Sequence, residues 1–173
     1  MSDASLVPAS ADVQDSQLAD LLVKAIREAD GPRHVSQILQ SVPRSGRPTA
    51  ETATECIETL VHQGVVHEYP VVRGRRQFWS HPAEEFARLQ LLRRVQRGPA
   101  RQSDILGAVG RLKPLQSVSK RRLKQIFADV QQQGRVHKLP AFLSARTPLF
   151  SAFPADPRDY VEDALAKLSA KLD

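Results

Sequence analysis

The sequence predicts a mainly α-helical fold with small β-hairpins, an α+β class, built as two tandem copies of one unit from an internal duplication. Three observations predict it: a repeat in fixed order along the chain, apolar residues at helical spacing, and a short β-rich stretch closing each copy. In the repeat, Asp30-Gly31-Pro32-Arg33-His34-Val35-Ser36-Gln37-Ile38-Leu39 matches Arg97-Gly98-Pro99-Ala100-Arg101-Gln102-Ser103-Asp104-Ile105-Leu106. Further on, Gln63-Gly64-Val65-Val66-His67-Glu68-Tyr69-Pro70 matches Gln133-Gly134-Arg135-Val136-His137-Lys138-Leu139-Pro140. The offset has grown by three residues there, so the second copy carries a short insertion near Leu112 to Val118. A third echo pairs Phe78-Trp79-Ser80-His81-Pro82 with Phe150-Ser151-Ala152-Phe153-Pro154. Self-similar blocks recurring in one order mark a repeated unit.

The elements of the first copy follow in order. Leu18, Leu21, Leu22, Ala25 and Ile26 recur at three- and four-residue spacing, the pattern of a one-sided helix. Asp30-Gly31-Pro32 stops it, because glycine suits a helix C-terminus and proline cannot continue one. A short helix is expected over Val35–Ser41 with Ile38, Leu39 and Val42 inward, then a loop from Pro43 to Pro48. Thr49 is an N-cap candidate for a third helix reaching about Gln63, with Ala53, Cys56, Ile57 and Leu60 as its apolar stripe. Gly64 ends it. Val65 to Val72 is rich in β-branched and aromatic residues and reads as a strand. Arg73-Gly74-Arg75-Arg76 reads as a basic turn, and Gln77 to Ser80 as the returning strand.

The second copy repeats the order. Its helices are expected near Ala83–Gln96, Gln102–Gly110 and Ser119–Gln133, and its strands near Arg135–Phe142 and Pro148–Phe153. Phe86, Leu89, Leu92 and Val95 form the apolar face of its first helix; Leu123, Ile126, Phe127 and Val130 form that of its third. Asp156-Pro157 then looks like an N-cap with proline at the first helical position. Tyr160, Val161, Ala164, Leu165 and Leu168 continue as a terminal helix, either a cap on the array or a surface for a partner. The expected organisation is a disordered tail over 1–16, a first domain over 17–82, a basic second domain over 83–154 and a C-terminal helix over 155–173.

The order helix, helix, helix, strand, turn, strand, with glycine after the third helix and a basic or polar hairpin tip, resembles the winged-helix (winged helix-turn-helix) family across roughly residues 17–154, in two copies. The resemblance implies a third helix that enters the DNA major groove and a hairpin "wing" that touches the backbone or minor groove. Many members of that family are protein-interaction modules instead, so the fold alone does not fix the function.

Composition narrows the classes. Hydrophobic residues make up 41% of the chain and aromatics 5%, so aliphatic side chains must fill the core. No apolar run approaches the ~20 residues needed to span a bilayer, and Met1 to Ser16 has no basic start followed by an apolar stretch, so neither a membrane span nor a signal peptide is expected. Cys56 is the one cysteine and has no internal disulfide partner, which suits a reducing cytoplasm, including its nucleoid. His34, His62, His67, His81 and His137 show no metal-ligand spacing. The chain lacks a glycine-rich phosphate loop and a catalytic carboxylate pair, so a binding protein without metal or cofactor is expected rather than an enzyme. His67 and His137 sit at matched strand positions and read as structural; Trp79 and Phe78 read as core residues.

The net charge of +6 is unevenly placed. Residues 83–154 carry 14 Lys+Arg against 4 Asp+Glu, net +10, whereas residues 17–82 carry 8 against 7. On the third helix of the second copy, burying the apolar stripe turns Arg121, Gln125 and Gln132 outward, with Arg122 and Lys124 beside them and Lys120 at the start. Lys120, Arg121, Arg122, Lys124 and Gln125 are therefore the leading candidates for contact with double-stranded DNA; a solvated charged face gives the same pattern. Arg73, Arg75 and Arg76 at the first hairpin and Arg146 at the second are candidates for backbone contact, or simply solvated turns. The first copy's third helix turns Glu51, Glu55 and Glu58 outward. Carboxylates repel phosphate, so this face is expected to meet a protein partner or the other domain rather than DNA. RNA remains compatible with the basic charge.

Overall fold

A computed structural model describes residues 9–139 and 147–154, together with Leu165 and Ser169. The protein is mixed α+β: six α-helices and two small antiparallel sheets among the described residues. The chain divides into two compact units at Pro82/Ala83. Among the described residues, no helix is long and apolar enough to cross a membrane.

The first unit contains α1 (Ala9–Arg27), α2 (Val35–Ser41), a 3-10 turn (Arg44–Gly46), α3 (Ala50–His62), β1 (His67–Val72) and β2 (Arg75–Trp79). Its first helix starts well before residue 17, so residues 9–16, expected as tail, extend α1. Leu22, Ala25 and Ile26 of α1 meet Ile38, Leu39 and Val42, Ala53, Ile57 and Leu60, and Val66, Tyr69, Phe78 and Trp79 in one buried core. Leu21 is 36% exposed and leaves the stripe expected for it. Cys56 is only half-buried, not a core residue, because it sits at the edge of the α3 stripe rather than at its centre. Thr49 caps α3 by accepting the Thr52 N–H at 3.2 Å. Gly64, at φ +73°, ends that helix in the left-handed region.

β1 and β2 pair antiparallel, His67 opposite Trp79 and Val72 opposite Arg75, with a register shift between Tyr69 and Val72. Pro70 lies in that interval and has no N–H for the ladder, which suits a bulge. The turn is shorter than the sequence suggests. Only Arg73 (φ +53°) and Gly74 (φ +76°) form it, and Arg75 and Arg76 already belong to β2. Positive φ at both central residues is what a right-twisted two-residue hairpin requires. An isolated bridge joins Arg33 to Phe78 on the outer side of β2. The indole N–H of Trp79 donates to the buried Ala29 carbonyl at 3.0 Å, pinning β2 to the end of α1.

The second unit contains α4 (Ala83–Gln96), β3 (Ala100–Arg101), α5 (Gln102–Gly110), a 3-10 turn (Lys113–Leu115), α6 (Lys120–Gln132), β4 (His137–Lys138) and β5 (Leu149–Ser151). Its sheet order is β3-β5-β4, all antiparallel, with Ala100 opposite Phe150 and His137 opposite Ser151. Phe86, Ala87, Leu91, Leu92 and Val95 of α4 are buried, a broader face than the sequence stripe, while Leu89 is only half-buried. Ile105 and Val109 of α5 join Leu123, Ile126, Phe127 and Val130 of α6 and Phe150 of β5; the Phe127 and Phe150 rings meet edge to face at 5.1 Å. Leu115, fully buried, shows that the segment between α5 and α6 contributes to this core rather than looping away from it. Gly134 (φ +69°) follows α6 as Gly64 follows α3. The second hairpin tip lies outside the described residues. So does the expected terminal helix, apart from Leu165 and Ser169, which are helical and exposed.

Candidate functional site

Burial of four α6 side chains decides what its opposite edge presents. Leu123, Ile126, Phe127 and Val130 are at most 1% exposed. At about 100° per residue, the opposite edge is the line Arg121, Gln125, Ala128 and Gln132, and all four are exposed. Lys120 and Lys124 flank it and are also exposed. Lys120, Arg121 and Lys124 make no ion pair or side-chain hydrogen bond among the described residues. The Ser119 hydroxyl accepts the Arg122 N–H at 3.1 Å and starts the helix. Its first turn holds no acid, so the cations there oppose the helix dipole, a conflict that an anion docked beside them relieves.

Arg122 has a partner that the sequence reading does not foresee. Its Nε and Nη2 each donate at 2.6 Å to the two carboxylate oxygens of Glu84 on α4, and its Nη1 donates to Gln125 Oε1 at 2.9 Å. The guanidinium beside Glu84 holds that carboxyl below the usual glutamate range, and Glu84 in turn raises the Arg122 value. Arg122 is thus not a free cation. The partner went unseen because Glu84 lies 38 residues away, and an acid in the first turn of a helix is already explained by the dipole. Elsewhere in this unit Arg88 pairs with Glu85, whereas Arg101, Arg135 and Lys138 are exposed.

The first unit changes its candidates more. Arg76 donates to both oxygens of Glu68 at 2.7 and 2.9 Å, and its third nitrogen reaches Glu58 on α3. Both ends of that last contact were sequence candidates, Arg76 for DNA and Glu58 for protein. They neutralise each other instead, because the helix and the hairpin bring opposite charges together. Arg75 lies 3.4 Å from His34 Nε2, and the Ser36 hydroxyl is 2.6 Å from Nδ1. Partial burial first, and the Arg75 charge second, hold the His34 pKa below its ordinary value. Arg73 stays exposed at the tip. Glu51 and Glu55 are exposed on α3 without an ion pair among the described residues. Arg146 lies outside the described residues.

Beside Glu55 is a feature the sequence did not disclose. A groove of about 380 Å³ runs between α1 and α3, lined by Leu18, Ala19, Cys56 and Leu60 with Asp15 and Glu55. Its signal was the helical extension before residue 17, which supplies Asp15 and Ser16. Desolvation first, then the Asp15 charge, push the Cys56 thiol pKa up, the opposite of an activated nucleophile. Among the described residues no group of three or more His, Cys, Asp or Glu side chains is placed to hold a metal. No family model matches the chain, and no curated protein matches it.

Proposed function

We propose that each unit is a winged-helix domain, the pair derived from one duplicated ancestor, and that the protein binds double-stranded DNA through α6, as a transcription regulator or chromosome-associated factor. The fold part of this reading draws on matched geometry. Arg33 bridges Phe78 in the first unit as Ala100 pairs Phe150 in the second, and the repeat aligns those positions. His67 opposes Trp79 as His137 opposes Ser151. The role is one of binding rather than catalysis, and a nucleoid-associated cytoplasmic location goes with it.

One observation carries the DNA reading. The exposed line Arg121, Gln125, Ala128 and Gln132, flanked by Lys120 and Lys124 without an ion pair among the described residues, is a polar and cationic helix edge within a stretch, residues 83–154, of net charge +10. A B-form major groove admits an α-helix, and Arg, Gln and Lys are the side chains that read base edges and phosphates. Ala128 leaves room for close approach. The narrow major groove of duplex RNA does not admit a helix, so duplex DNA is preferred.

The test is a titration of DNA and RNA duplexes against salt. Three phosphate contacts give a slope of log affinity against log salt of about −2.7. Changing Lys120, Arg121 and Lys124 to alanine should remove most of that slope while circular dichroism shows the helices retained. An unchanged slope overturns the assignment of α6.

A second reading, an adaptor working through the first unit, draws on the α1–α3 groove, which Glu55 lines, and on Glu51, exposed on the same helix. Its test is a partner captured by the intact protein and lost when Glu51→Lys and Glu55→Lys are introduced, with DNA binding unaltered.

A further inference from the structure

We infer that Glu84, Arg122 and Gln125 form a relay that sets Gln125 as a hydrogen-bond donor toward the DNA, so that it selects a guanine rather than an adenine edge. The inference rests on the proposed DNA-binding role of α6 and deepens it. Arginine has five N–H donors and no acceptor. With Nε and Nη2 committed to both oxygens of Glu84 at 2.6 Å, the guanidinium plane is fixed, and Nη1 meets Gln125 at 2.9 Å. Only the amide oxygen can accept from it. The orientation of the amide is therefore decided by chemistry: Oε1 turns inward to Arg122 and the Nε2 hydrogens turn away.

This matters because an unrestrained glutamine is ambivalent. It reads adenine by accepting from N6–H and donating to N7, using both ends of the amide. With Oε1 turned toward a cation that takes one of its two lone pairs, the adenine pattern is left with a weaker and less well aimed acceptor. The two Nε2 hydrogens remain, and guanine offers two acceptors, N7 and O6. The positive charge on Arg122 also polarises the amide and strengthens those donors. Gln125 is exposed on the same edge as Arg121, where the relay can act. Arg122 and Glu84 are positioning residues here; neither needs to touch a base.

The experiment uses the full chain and a pool of randomised DNA duplexes. Selection gives the preferred site, and Gln125→Ala identifies the base pair that Gln125 reads as the one whose preference it flattens. Duplexes differing only there, G·C against A·T, are then titrated against salt. The wild type is expected to prefer guanine by about tenfold, the worth of a good base contact. Glu84→Ala should reduce that preference to near unity and steepen the salt slope by about 0.9, as Arg122 is released to a phosphate. Gln125→Ala should lose the preference at unchanged slope. Adenine preferred by the wild type, or guanine preference surviving Glu84→Ala, overturns the relay. Salt-dependent binding without any base preference also overturns it and leaves the α6 reading standing. Absence of salt-dependent binding to every duplex overturns both.

Discussion

Arg76 on β2 and Glu68 on β1 form a two-bond fork, 2.7 and 2.9 Å, across the first hairpin. The same guanidinium reaches Glu58, so one cation ties the hairpin to α3. The side chains are about two-fifths exposed, and solvent screening limits the stabilisation to about 1 kcal/mol. Arg76→Ala should lower the unfolding free energy by roughly that amount near neutral pH. The hydrogen bond from Arg76 holds the Glu68 carboxyl below its ordinary value of 4.5. A carboxyl depressed in the folded state stabilises above its unfolded pKa and loses that contribution as pH falls through the folded one. The difference between wild type and Arg76→Ala should therefore shrink below pH 4.5, as urea titrations at several pH values would reveal. A difference that persists undiminished in acid would show that packing, not the ion pair, is responsible.

Trp79 is the only tryptophan of the chain, and its indole N–H satisfies the Ala29 carbonyl from a buried position. Trp79→Phe keeps most of the apolar volume but orphans that carbonyl. A buried acceptor without a partner costs about 1–3 kcal/mol, and the smaller ring adds a packing loss. A destabilisation of at least about 2 kcal/mol is expected from thermal unfolding followed by circular dichroism. A neutral outcome would mean that the carbonyl finds water and that β2 is not pinned to α1 by this bond.

The helices were legible because their apolar residues recur at one spacing and their ends carry recognisable stops. Val35 to Ser41 needed nothing more than Ile38 and Leu39 between His34 and Pro43. The hairpin turn was less legible: four successive positions, Arg73-Gly74-Arg75-Arg76, look alike as a polar run. Only pairing of Arg75 with Val72 shows that two of them belong to a strand. The candidate site was legible in part. Helical phase gives Arg121, Gln125 and Lys124 their exposure, since it depends on neighbours three and four residues away. Phase says nothing about what lies opposite, so the Glu84 partner of Arg122 and the Glu58 partner of Arg76 were invisible. The same holds for the α1–α3 groove, which needs two helices placed side by side.

Leu115 bears on the segment between α5 and α6, where the repeat proposed above places a three-residue insertion. It lies in a 3-10 turn between α5 and α6 and is fully buried. A surface loop tolerates truncation of such a residue; a core position does not. Leu115→Ala should cost about 3 kcal/mol, within the range for leucine deletions in packed interiors. Denaturant unfolding gives the number. A loss under about 0.5 kcal/mol, the usual surface value, would show that this segment merely covers the core.

Arg73 joins stability to binding at the hairpin tip. Its φ of +53° lies in the left-handed region, where a side chain with a Cβ is disfavoured by roughly 1–2 kcal/mol, and its neighbour Gly74 carries φ +76° without that cost. Asn-Gly is the pairing such a turn prefers. Arg73→Asn should thus stabilise the protein by roughly 0.5 kcal/mol, while Gly74→Ala should destabilise it by about 1 kcal/mol. The arginine is exposed and makes no ion pair among the described residues, so under the proposed DNA-binding role it is free to meet a phosphate. If it makes that contact, Arg73→Asn also flattens the salt slope of DNA binding by about 0.9. A variant that is more stable yet weaker in binding identifies strain retained for a ligand. Greater stability with unchanged binding instead removes the first hairpin from the interface and leaves α6 to act alone. Lower stability would mean that Arg73 makes a compensating contact that outweighs its backbone strain.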